Sequence, residues 1–283
     1  MSLNKDFTAR LAIGISASLI FLCLAWYNDV ALFLVIFFFA AFAMWEYYEL
    51  ALRNGGKSGK AAGYAAAAAF MLLAYRPPNG GIERLHAALA LCAAALIALK
   101  FIENSLLFRV PAVSILAATL FGGFYIGGSM SCVLGLNFLD KNHLSAAVGD
   151  RHLLFLLPFV GAWASDTGAY LSGRIVGKEK LSRISPNKTV EGVVGAAFAG
   201  FVAIYIFGHV LNLPTPLIMF LGLAIPVVGL GGDLFESSIK RRFQAKDSGA
   251  FFRNHGGVLD RFDSIFFVAP LTYFAVYFFT HRI

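Results

Sequence analysis

Charge is scarce in this sequence. Only 14% of its 283 residues are charged, against the roughly 25% of a soluble domain. Hydrophobic residues reach 59%, and mean hydropathy is +0.73. That balance excludes a disordered chain, a nucleic-acid-binding domain and an ordinary cytosolic enzyme. Cysteine is also sparse. Cys23, Cys92 and Cys132 all lie in apolar runs without metal-ligand spacing. They read as small buried apolar residues, not as a disulfide framework. No G-x-x-x-x-G-K-[ST] loop is present, which excludes that type of nucleotide site. No internal repeat stands out, which argues against an inverted-repeat transporter.

Long apolar runs are abundant. Nine fall near 11–27, 30–50, 61–75, 85–102, 111–136, 153–173, 190–211, 214–236 and 259–281. Each is read as a membrane span, since a crossing needs about 20 apolar residues. The third, an Ala-rich run, is the shortest. The first follows Lys5 and Arg10 and is read as a retained span, because no small-x-small cleavage site follows it. The expected fold is an all-α polytopic membrane protein with about nine transmembrane helices. Orientation follows from Lys and Arg. With the N-terminus inside, 18 of the 23 lie on the cytoplasmic side and 5 outside. This predicts a cytoplasmic N-terminus and an external C-terminus, and it accounts for the net charge of +7 without nucleic acid.

The two halves differ. Residues 1–150 carry Ala-rich and Phe-rich patches suited to packing or to an interface. Glu46 and Glu49, near the end of the second span, are expected to reach the interface beside Arg53 as a structural ion pair. Residues 151–283 place polar groups within and at the ends of apolar spans, where they are costly and mark function. Asp166 lies inside the sixth span between Ser165 and Thr167. Ser185-Pro-Asn-Lys-Thr-Val-Glu-Gly192 precedes the seventh. There Ser185 is the expected N-cap and Pro186 the first helical residue, so that Lys188 joins the free N–H groups of the first turn in an anion site.

Gly229, Gly231 and Gly232 lead into Asp233, Glu236, Ser237 and Lys240. These last four share one helix face and run into a basic cluster. Asp260 and Asp263, three apart at the mouth of the last span, suit a hard divalent cation. His255-Gly-Gly257 before them offers an imidazole and backbone N–H groups to a phosphate. Lys246 and Arg261 add positive charge. In the orientation above, these groups face the cytosol, where a polyphosphate nucleotide can meet a lipid.

These motifs resemble the phosphatidate cytidylyltransferases, the CDP-diacylglycerol synthases. The family signature S-x-x-K-R-x4-K-D is matched from Ser237 through Lys240-Arg241 to Lys246-Asp247. Its H-G-G-x-x-D-R-x-D block is matched from His255 to Asp263. Ser165–Tyr170, Ser185–Gly192 and Gly232-Asp233-Leu234 also look like family blocks, so the likeness covers about residues 160–265. Arg253-Asn254 replaces the usual Pro-Gly before the histidine, which alters the loop leading to it.

The resemblance implies transfer of CMP from CTP to phosphatidate, with Mg2+ and room for a second cation; a bacterial plasma membrane is expected from the compact chain without a transit peptide. The resemblance implies Asp233, Asp260 and Asp263 as metal ligands. Asp166, Lys188, Lys240, His255 and Arg261 are the expected catalytic groups. Ser165, Asn187, Lys188, Ser237, Lys240, Arg241, Lys246 and His255 are the expected substrate contacts. It also leaves room for a homodimer. Two other readings predict different products. A CTP-dependent polyprenol kinase would release CDP, and a cation-coupled transporter would consume no nucleotide.

Overall fold

The computed structural model describes residues 28–51, 57–75, 81–104, 111–139, 151–182, 185, 188–249 and 256–281. They form the helices α1 (Asp29–Ala51), α2 (Lys57–Ala74), α3 (Gly81–Asn104), α4 (Pro111–Gly122), α5 (Ser129–Phe138), α6 (Leu157–Val176), α7 (Val190–Val210), α8 (Thr215–Arg242), α9 (Leu259–Phe262) and α10 (Ile265–His281). A π-helical stretch, Gly123–Gly128, joins α4 to α5 as one rod, and a 3-10 turn, Arg151–Leu156, leads into α6. Among the described residues the only extended pairing is one antiparallel bridge, Lys180 to Thr189.

Among the described residues, five stretches are long and apolar enough to cross a membrane: Asp29–Ala51, Ile115–Phe138, Val190–Val210, Thr215–Arg242 and Leu259–Phe279. Two shorter apolar stretches lie in α2 and α3, at Lys60–Ala74 and Arg84–Leu96. Helix α6 has 20 residues, but Ser165, Asp166, Thr167 and Arg174 interrupt its apolar character. The expected span at 11–27 lies outside the described residues. This is an integral membrane protein built of helices.

In the N-terminal half, aromatic hydroxyls tie helices together. Tyr47 donates to the Ala118 carbonyl at 3.2 Å and Tyr48 to the Thr119 carbonyl at 2.8 Å, joining α1 to α4. Such bonds satisfy a buried hydroxyl without placing charge in lipid. Cys132 is buried and Cys92 partly so, both as free thiols, as expected; Cys23 lies outside the described residues. Tyr125, in the π stretch, packs against Phe235 of α8 and Phe266 of α10 at ring distances of 5.7 and 5.1 Å. The Ser129 hydroxyl donates to the Phe266 carbonyl at 2.6 Å. The early helices are thereby welded onto those that carry the polar motifs.

In the C-terminal half, α6 and α7 pack closely. Small residues make this possible: a side chain at Gly168 would collide with the backbone of Gly195 and the methyl of Ala199. Close approach brings Asp166 of α6 toward the start of α7. That start differs from expectation. Thr189, not Ser185, caps α7, its hydroxyl accepting from the Gly192 N–H at 3.1 Å. The reason is that Lys188 is part of an extended pairing, its carbonyl accepting from the Leu181 N–H at 2.9 Å, which excludes helical geometry there. Glu191 braces the turn by accepting from the Lys178 N–H at 3.0 Å.

Candidate active site

Helices α6, α7 and α8 enclose a cavity of about 630 Å³. Ala162, Val193, Ala196 and Val227 give it largely apolar walls, while Asp166, Lys188 and Asp233 supply charge. Arg174 also lines it, its guanidinium donating to the Tyr170 hydroxyl at 2.9 Å. Asp233 lies nine residues before Arg242, the end of α8, so it is recessed by about 13 Å along the helix axis.

Lys188 forms an ion pair with Asp233. Ser237, one turn further along α8, donates to Asp233 Oδ1 at 3.3 Å. Asp166 lies within electrostatic reach of Lys188 and Asp233. Asp263, arriving from the start of the last membrane helix, is within reach of Asp233, Asp166 and Lys188. Three separate helical segments and the residue preceding α7 therefore converge on one charged cluster.

A second cluster adjoins it. Lys240 Nζ lies 2.7 Å from Asp260 Oδ1 and 3.1 Å from Glu236 Oε2. Glu236 is fully buried at 0% exposure and lies within reach of Asp263, which joins the two clusters. Asp260 also accepts from the Ser248 N–H at 3.0 Å and the Gly257 N–H at 2.7 Å. Glu236 and Lys240 are one turn apart on the expected polar face of α8, so their pairing is local, whereas Asp260 as the other partner of Lys240 requires the fold.

Other expected residues stand apart from these two clusters. The Ser165 hydroxyl is buried and donates to its own helix, at the Gly161 carbonyl, 2.8 Å away. Arg241 is exposed and donates to the Ala245 carbonyl at 3.2 Å. Lys246 and Arg261 are exposed. Asn187 and His255 lie outside the described residues. Arg53, beside which Glu46 and Glu49 are expected to pair, lies outside the described residues. Glu49 pairs with Lys60 at 2.7 Å, while Glu46 is buried and turned toward the segment before Asp260. Its only signal in the sequence is an acid inside an apolar run.

Among the described residues, no three Asp, Glu, His or Cys side chains converge closely enough to enclose a metal ion by themselves. The donor set nevertheless fits magnesium, which takes one or two carboxylates and completes its shell with water and substrate phosphates. Asp166, Asp233, Glu236, Asp260 and Asp263 lie about two lysines, Lys188 and Lys240, so carboxylate oxygens outnumber the lysines that hold them.

The model of the cytidylyltransferase family matches residues 8–279. A relative from Bacillus subtilis (strain 168), named phosphatidate cytidylyltransferase, is 37% identical over 197 residues, covering 69% of this chain and 68% of its own. Relatives of the same name from Staphylococcus haemolyticus and Staphylococcus saprophyticus are 40% and 45% identical over 141 and 127 residues. Those matches cover 53% and 48% of the relatives' lengths. With nearly its whole length matched, the chain belongs to the cytidylyltransferase family and is a nucleotidyltransferase.

Proposed function

We propose that this protein transfers CMP from CTP to phosphatidate, giving CDP-diacylglycerol and pyrophosphate. The observation that carries this reading is the recessed cluster of Asp166, Lys188, Asp233 and Asp263 at an otherwise apolar cavity. Such a site suits one phosphorylated partner with an apolar tail and another that arrives with its own cation. The names of the similar bacterial proteins support the same substrate.

A phosphate oxygen of the lipid attacks the α-phosphorus of CTP. The bond to the β-phosphate oxygen breaks, and pyrophosphate leaves with the electron pair. The nucleophile is already an anion, so no side chain must remove a proton. Rate enhancement comes from alignment and from stabilised charge. Lys188 leaves Asp233 to neutralise a phosphate oxygen. Lys240, held between Glu236 and Asp260, supports the same region from behind. Arg261, Lys246 and Arg241 attract the nucleotide at the exposed rim, with His255 and Asn187 as further phosphate contacts. Asp233, Asp263 and Asp260 are the residues to hold magnesium, and Asp166 steadies the set. When bound, magnesium neutralises charge on the triphosphate and on the departing pyrophosphate.

In this reading the chain crosses a bacterial plasma membrane nine times, with its N-terminus and the mouth of the site in the cytoplasm. The 18 to 5 distribution of Lys and Arg supports that orientation. The experiment is pyrophosphate release by purified protein in detergent with CTP, phosphatidate and magnesium. Release that requires all three, with CDP-diacylglycerol formed, is the expected result. Release of CDP in place of pyrophosphate overturns the reading.

A further inference from the structure

Ser248-Gly249 and Gly257–Leu259, the described residues on either side of 250–255, are drawn into a neck by shared acceptors. Two carboxylates hold that neck. Asp260, from its own strand of the neck, accepts from the Ser248 and Gly257 N–H groups. The other comes from the opposite end of the sequence. Glu46, on α1, is 1% exposed. Its Oε2 accepts from the Ser248 hydroxyl at 3.1 Å and from the Leu259 N–H at 2.8 Å. Ser248 is thus gripped twice, through its hydroxyl by Glu46 and through its amide by Asp260.

The fit around Glu46 is close. A β-carbon on Gly249 would lie 2.8 Å from Glu46 Cδ and 3.0 Å from Cγ, and one on Gly257 would also run into the carboxyl group. Two glycines of the neck therefore occupy positions where the Glu46 head fills the side-chain space. A buried carboxylate is costly unless it makes compensating bonds. Packing alone would be served as well by leucine or methionine. What Glu46 adds is a hydrogen-bonded anchor for backbone that leads directly into Asp260 and, one turn later, Asp263.

We propose that Glu46 is a positioning residue for the transfer reaction. From the N-terminal half it fixes the neck between α8 and α9, and so sets where Asp260 stands against Lys240 and where Asp263 stands against Asp233. This inference rests on the nucleotidyl-transfer reading of the site. The early helices then become part of the catalytic machinery's frame, although among the described residues none of their side chains enters the cavity lined by Asp166, Lys188 and Asp233.

Glu46→Ala removes both bonds. Glu46→Gln keeps an acceptor oxygen in the same place. Ser248→Ala removes one bond and leaves the carboxylate, and serves if Glu46→Ala fails to fold. Pyrophosphate release is measured against CTP concentration, alongside hydrogen exchange of the amides at Ser248, Gly257 and Leu259. In Glu46→Ala the KM for CTP is expected to rise about tenfold and those amides to exchange about tenfold faster, the scale set by one or two lost hydrogen bonds. Ser248→Ala shows a smaller change in the same direction, and Glu46→Gln restores most of both. A folded Glu46→Ala protein with wild-type KM and exchange overturns the proposal. So does one whose maximal rate falls only with the amount of folded protein, or a Glu46→Gln protein as impaired as Glu46→Ala. If the wild type makes no pyrophosphate, the functional reading fails, while exchange still reports on the anchor.

Discussion

The two halves of the molecule bury polar groups in different ways. Around α1 and α4, hydroxyls of Tyr47 and Tyr48 meet main-chain carbonyls. Those bonds are neutral and complete, and they ask for no outside partner. Around α6, α8 and α10, carboxylates outnumber lysines, and each lysine is already shared or paired. Neutral ties build a frame. Carboxylates in excess of the lysines that hold them suit the site of the proposed reading, which a cation and a phosphate would complete. Glu46 crosses that division, being a charged group of the first half that serves the second.

The sharpest way to break the contrast is to neutralise the site. Asp233→Asn and Asp263→Asn should each lower kcat by on the order of 10²–10³, the scale for losing one preorganised electrostatic contact, while detergent gel filtration shows an unchanged fold. Asp260→Asn should abolish turnover and also lower stability by about 2 kcal/mol, since it weakens contacts to Lys240 and to two amides. Chemical denaturation measured beside activity separates the two effects. Full activity in Asp260→Asn would remove that carboxylate from the machinery.

Lys188→Gln comes next. It should lower kcat/KM for CTP by roughly tenfold to a hundredfold, the scale for a charge-assisted bond, leaving maximal helicity intact. Gly168→Val tests the frame of the second half. The added bulk meets the Gly195 backbone, so a loss of about 1–3 kcal/mol is expected from overpacking, read as a lower thermal midpoint. The smallest effect belongs to the neutral ties. Tyr48→Phe should cost about 1 kcal/mol and leave KM for CTP unchanged. A large activity loss there would erase the distinction between frame and site.

Much of the site was legible because charge inside an apolar run is anomalous wherever it occurs. Asp166, Asp233, Asp260 and Asp263 stand out by that rule and Lys188 by its place just before a span, and the structure gathers them into two adjoining clusters. Helix type was legible for the same reason that membranes admit few alternatives. Less was readable where the outcome depends on distant partners. Ser185 and Pro186 look like the start of α7, but pairing with residues 179–181 moves the cap to Thr189. Glu46 looks like an interfacial acid, and only the fold places Ser248 and Leu259 against it. No local pattern specifies a hydrogen bond across 202 or 213 residues. The π-helical register of Gly123–Gly128 follows equally from neighbours that local propensity does not see.

The separation between Glu46 and its partners also has a meaning in time. A ribosome adding about 5–20 residues per second needs about 10–40 s to reach Ser248 after making Glu46. Throughout that interval α1 carries an acid whose acceptor oxygens have nothing of their own to bind. An unpaired acid near the middle of a membrane helix costs about 3 kcal/mol on insertion scales, but Glu46 stands only five residues from the end of α1 and can rest in the wet headgroup layer. Helix α1 can thus be inserted with Glu46 at its wet end, and the bonds from Ser248 and Leu259 follow once the last part of the chain has been made.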